Sequence, residues 1–106
     1  MRSSHRLIIS PDAEEDLRAI IEYSLSEYGE AQEEAYAMRL NGAMALLTQF
    51  PLVGRSCEEI GDGLRRQTVG EHHLYYRIGA RDVTIVRVLH EKMDAGRHVG
   101  QQKPRA

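Results

Sequence analysis

Apolar residues recur at helical spacing in the first half of the chain and in alternation in the second half. Arg6-Leu7-Ile8-Ile9 predicts a short first strand. After it, Ala13, Leu17, Ile20, Ile21, Leu25 and Tyr28 stand 4, 3, 1, 4 and 3 positions apart, one stripe of a helix. Ser10 is placed to cap that helix, and Pro11 suits its first position, where no backbone N–H is needed. Asp12, Glu14, Glu15 and Asp16 fall in the first turns, where the helix dipole favours negative charge. Gly29 ends the helix as a left-handed cap.

A second helix is predicted from Glu30 to about Gln49. Its main stripe reads Ala31, Ala35, Met38, Gly42, Leu46 and Phe50, widened by Leu40, Met44 and Leu47. The small residues Ala31, Ala35 and Gly42 would let the first helix approach closely. With only Gly29 between them, the two helices form an antiparallel hairpin. Pro51 stops the second helix, and residues 51–63, with Gly54, Gly61 and Gly63, read as a loop.

Three strands follow at Leu64 to Val69, His72 to Ile78 and Val83 to Leu89. Their short connections imply an antiparallel meander. The fold class is therefore α+β, of order βααβββ. A helical hairpin covers one face of an antiparallel sheet, and the N-terminal strand is added to the meander. Strict alternation puts Leu74, Tyr76 and Ile78 opposite His73, Tyr75 and Arg77. It also puts Val83, Ile85, Arg87 and Leu89 opposite Thr84, Val86 and Val88. Both faces thus carry apolar residues. The helices can cover one, and either a protein partner or the C-terminal segment covers the other.

Composition narrows the class. The chain has 106 residues, 42% of them hydrophobic, which suits one folded domain. Residues 1–100 are read as that domain and 101–106 as a frayed tail. No apolar run reaches membrane-spanning length, and no secretory signal is visible, so the cytoplasm is expected. A single cysteine, Cys57, excludes an internal disulfide and reads as an inert thiol. Lys plus Arg is 14 against 16 for Asp plus Glu, a net charge of −2, which argues against tracking nucleic acid by bulk charge. That small net charge hides a divided one. Nine of the 16 acids lie between Asp12 and Glu34, while Arg65, Arg66, Arg77, Arg81 and Arg87 lie among the strands.

No catalytic geometry is legible. His72 and His73 face opposite ways on a strand, and His90 with Asp94 supplies two ligands, not four, so no metal and no cofactor is implied. Arg65 and Arg66 also face oppositely, so at most one can join Arg77 and Arg87. Arg87 is read either as paired with an acid such as Asp94 or Glu91, or as a partner contact.

Several segments together, in order, resemble the ParE toxins of bacterial type II toxin–antitoxin modules, within the RelE/ParE superfamily. They are Leu7 to Leu17, Tyr23 with Tyr28-Gly29, Pro51-Leu52-Val53-Gly54-Arg55, Gly63-Leu64-Arg65-Arg66, His72 to Arg77, and Val86-Arg87-Val88-Leu89-His90 followed by Met93-Asp94. The resemblance implies a cytoplasmic toxin that inhibits DNA gyrase without covalent chemistry of its own. It implies a cognate ParD-like antitoxin that neutralises the toxin in a hetero-oligomer, with no sequence-specific nucleic-acid binding and no membrane. Together with the mixed sheet face, it points to Arg66, Tyr76, Arg77, Arg87, His90 and Asp94 as antitoxin- or target-binding residues. Two alternatives are a RelE-like, ribosome-dependent mRNA endonuclease and a non-toxic remnant that only binds antitoxin. Endonuclease chemistry would fall to His90 with Arg66, Arg77 and Arg87. The chain has only two lysines, Lys92 and Lys103, and lacks the basic character that suits ribosomal RNA.

Overall fold

The computed structural model describes residues 4–99. Strand β1 (Arg6–Ile9) leads into helices α1 (Pro11–Tyr28) and α2 (Glu30–Gln49). A 3-10 turn (Pro51–Val53) precedes β2 (Arg55–Ser56), β3 (Arg65–Val69), β4 (His72–Ile78) and β5 (Asp82–His90), and α3 (Ala95–His98) follows. The expected elements are present within about a residue at each end. The turn and β2 arise inside the expected loop. The expected frayed tail, residues 101–106, lies outside the described residues.

Local chemistry accounts for the hairpin. Ser10 Oγ accepts the Ala13 N–H at 3.1 Å, and Pro11 opens α1. Gly29 takes φ +90° and ψ 175°, an extended conformation of positive φ that side chains resist, in place of the expected left-handed cap. That single residue turns α1 into α2.

The sheet runs β1-β5-β4-β3-β2. The meander is antiparallel, but β1 joins β5 in parallel, Arg6 opposite Asp82 and Ile9 opposite Ile85. No turn links β1 to its neighbour, so its direction follows from where the hairpin leaves and returns, a tertiary matter. Beyond Ile9 the edge of β5 is open, and α1 closes it. Ser10 Oγ donates to Val86 O, and Asp16 Oδ2 accepts the Val88 N–H.

A bulge corrects the expected alternation in β5. Tyr75 pairs with Arg87 but Tyr76 with Ile85, leaving Val86 as the extra residue. Val83, Ile85 and Val88 therefore pack with Leu74 and Tyr76 under the helices, while Val86 and Leu89 join Tyr75 on the other face. That second face is covered by the chain itself. Cys57, Leu64, Ala95 and Val99 close over Tyr75, so segment 95–99 packs onto this face.

The second helix corrects another expectation. Its buried residues are Leu40, Met44 and Leu47, with Tyr36 and Ala43 partly buried against the same core. The expected main stripe faces outward, with Met38 72% exposed, and Ala31, Ala35, Gly42, Leu46 and Phe50 also exposed. Both stripes are apolar at helical spacing, so periodicity alone cannot rank them.

Candidate functional site

The six candidate residues do not converge. Tyr76 is fully buried, and its hydroxyl donates to Pro51 O at 2.6 Å and accepts the Gly54 N–H at 3.0 Å. It is a clamp on the 51–54 segment with no surface to offer a partner. Arg65 grips the same segment, donating to Leu52 O and Gly54 O. A Cβ on Gly54 would stand 2.5 Å from the Tyr76 hydroxyl and 2.6 Å from Arg66 O, so only glycine lets these groups meet.

Arg87 is also engaged internally. Its Nε and Nη2 donate to the two oxygens of Asp16 at 2.7 and 2.9 Å, a bidentate ion pair. The hydrogen bond to Asp16 raises the guanidinium's already high pKa. The expected acid partner is thus real, but it is Asp16 on α1, not Asp94 or Glu91. Seventy-one positions separate the two residues, and only the packing of α1 on β5 brings them together. Asp94 caps α3, its Oδ1 accepting the Gly96 N–H at 3.0 Å.

Arg66 and Arg77 share the sheet face of Tyr75. Arg77 is exposed, with Nε donating to Asp62 O at 2.9 Å. Arg66 is half-buried and stands directly across from Arg55, which the sequence analysis placed in a loop. The signal was unreadable there because residues 51–63 show no strand periodicity.

His90 lies on the other side, in a cleft of about 470 Å³ between the hairpin and the β3–β4 turn. Tyr23, Tyr28, Tyr36, Arg39, Glu71 and His72 also line it. The Nδ1 of His90 accepts the Lys92 N–H, which places its proton on Nε2, 3.1 Å from Glu71 Oε1. The His72 ring stands edge-on to His90 at 5.3 Å, and its Nδ1 lies 2.6 Å from the Tyr36 hydroxyl. Burial, then His90, pushes the His72 pKa down, and burial pushes the Tyr36 hydroxyl up. This cluster is tied together by its own hydrogen bonds. The three arginines expected to serve such chemistry, Arg66, Arg77 and Arg87, are not at it; the cation that lines the cleft is Arg39, stacked over the Tyr36 ring at 5.6 Å. Among the described residues no group of three or more His, Cys, Asp or Glu side chains is placed to hold a metal. No helix there is long and apolar enough to cross a membrane.

Comparisons with known proteins fit this geometry. A family model described as the ParE toxin of the type II toxin–antitoxin system parDE matches residues 7–95. Toxin ParE1 of Mycobacterium tuberculosis is 36% identical over 97 residues, covering 91% of this chain and 99% of that protein. Toxin ParE1 of Caulobacter vibrioides is 37% identical over 92 residues, covering 87% of this chain and 95% of that protein. Among solved structures, a chain of the chromosomal ParDE system from P. aeruginosa superposes with a TM-score of 0.71 at 18% identity, covering 82% of this chain and 96% of that one. A chain of the toxin–antitoxin complex RelBE2 from Mycobacterium tuberculosis gives 0.62 at 22% identity, covering 85% and 94%. These last two likenesses concern the fold, whereas the family match and the sequence relatives concern descent, and by them the chain belongs to the ParE family of type II toxin–antitoxin toxins.

Proposed function

We propose that this ParE-family toxin acts on DNA gyrase in the cytoplasm, without covalent chemistry of its own, and is held inactive in a hetero-oligomer with a ParD-like antitoxin. The observation that carries the antitoxin is the outward-facing apolar stripe of α2, which continues through its C-cap Phe50. Met38, Leu46 and Phe50 are exposed there, and Leu52 and Val53 are exposed just beyond. Such a surface is costly to leave wet and supplies the apolar anchors that a protein interface needs. Both solved structures of similar fold come from toxin–antitoxin systems, which fits an occupant of this kind. Gyrase as target follows from the family resemblance.

The spread of the candidate residues supports this reading over message cleavage. His90 sits in the cleft with Glu71, Arg87 is held by Asp16, and Arg66 and Arg77 lie on the far sheet face. A general base and its stabilising cations must meet within hydrogen-bond reach of one phosphate.

The test is a supercoiling assay with purified toxin. Inhibition or accumulation of cleaved DNA is expected, reversed by the antitoxin. Cuts in message on translating ribosomes, abolished by His90→Ala, would replace gyrase by the ribosome. Unaffected growth on uncontrolled expression would leave only an antitoxin-binding remnant.

A further inference from the structure

The sheet face turned away from the helices carries an arrangement that folding alone does not favour. Arg55 on β2 lies directly opposite Arg66 on β3, and Arg66 lies opposite Tyr75. Like charges placed directly across a ladder repel. Neither arginine makes a hydrogen bond or ion pair to a carboxylate among the described residues. Thr68 and His73 share the face, the Thr68 hydroxyl 3.0 Å from His73 Nδ1. Arg77 stands further along β4 on the same face. The positive field is felt locally. The His73 pKa is lowered, first by burial, then by Arg66, with Arg55 adding to it. Glu91 opposes this at His73 and Glu59 opposes it at Cys57, but neither pairs with the arginines.

The chemistry of this face differs from that of the helical side. Its apolar residues, Tyr75, Val86 and Leu89, are already buried beneath Leu64, Ala95 and Val99. Most of the exposed large apolar side chains lie on α1, on α2 and in segment 50–53. A protein partner finds its anchors there. The sheet face offers guanidinium forks and a hydroxyl, the set that holds phosphate oxygens.

We propose that Arg55 and Arg66 form a nucleic-acid phosphate-binding surface, without sequence preference, that holds duplex DNA while the toxin is engaged with its target. The occasion for that contact rests on the gyrase reading. The acids of α1 and α2 would repel a duplex, so they orient it toward the arginine face. With a net charge of −2 the free toxin binds weakly, and the contact gains its effect beside DNA already held by the enzyme.

The test uses the full-length toxin, without gyrase, and a short fluorescent duplex followed by anisotropy between about 50 and 200 mM salt. Binding should weaken with salt, with a logarithmic slope near −2 for two phosphate contacts. The double variant Arg55→Gln/Arg66→Gln should bind at least about tenfold more weakly at the lowest salt, its slope flatter by about 1 per arginine. Arg18→Gln, on α1, should bind as the wild type does. Arg66→Lys keeps the charge but loses the fork, and should retain the slope with reduced affinity. Thermal melting checks that each variant is folded. Wild-type binding that ignores salt, or a folded double variant that binds normally, overturns the proposal. So does tighter binding of poly-glutamate than of the duplex at equal charge, which would give the face to an acidic protein.

The double variant is then compared with wild type in gyrase cleavage. Loss of duplex binding with undiminished accumulation of cleaved DNA overturns the role assigned to the face. A wild-type toxin that binds duplex but leaves gyrase unaffected removes the target while the surface stands.

Discussion

The sequence left Arg87 either paired with an acid or turned to a partner, and in the folded chain it is closed on Asp16. The same carboxylate also takes the Val88 N–H, so it serves a side chain and a strand edge at once. Asp16→Ala leaves a half-buried guanidinium and an edge N–H without that acceptor, and should cost about 2–4 kcal/mol in urea denaturation. Arg87→Glu, which as a surface contact would weaken antitoxin binding more than stability, should instead lower stability first. Tyr76→Phe should cost about 1–3 kcal/mol, because it strips the buried Gly54 N–H and Pro51 O of their shared hydroxyl. His72 and His73 both hold pKa values below the ordinary imidazole value. The unfolded chain therefore binds more protons than the folded one in that range. The stability they contribute is complete above about pH 6.5 and is lost as pH falls through that value toward the lowered ones. Thermal melts from about pH 7.5 down to 5.5 should show the midpoint falling, and His72→Asn should flatten the fall.

At the level of elements, α2 shows how one pattern serves two purposes. Leu40, Met44 and Leu47 face the core, whereas Met38 and Leu46 face out. Leu47→Ala should cost about 2–5 kcal/mol, since a fully buried side chain leaves a cavity. Met38→Ser should change the stability of the isolated toxin by less than about 0.5 kcal/mol. The same change should weaken antitoxin binding in calorimetric titration by about tenfold if the outer stripe is the interface. Equal affinity for the antitoxin would move the interface elsewhere. Strand β5 gives a second lesson. Its run from Val83 to Leu89 is apolar on both faces, so any register satisfies the pattern. The Val86 bulge arises where α1 replaces β1 at the edge, and Ser10 takes the carbonyl of the extra residue. No property of the β5 sequence announces it.

Over the whole molecule acids crowd the hairpin, while Arg55, Arg66 and Arg77 share the far sheet face. Arg66→Gln should relieve the repulsion with Arg55 and stabilise the fold by roughly 0.2–0.5 kcal/mol, read as a raised melting temperature. The helices, the meander and the stops at Gly29 and Pro51 were legible because each rests on neighbours within a few positions: a cap, a stripe, a short turn. Membership of the family was legible for the same reason, as short segments kept in order. The candidate site was less so. Of its six residues, Tyr76 lies in the core, Arg87 in an internal ion pair and Asp94 at a helix cap, and the strand that sets Arg55 against Arg66 was not expected. Each of these depends on what stands across a strand or beneath a helix from far along the chain. Local periodicity thus determined the elements and their order. The tertiary structure alone decided the parallel docking of β1, the bulge at Val86, which stripe of α2 is buried, and where each arginine's charge is spent. It did so because burial and charge pairing are settled by partners dozens of residues away, and a pattern along the chain does not record them.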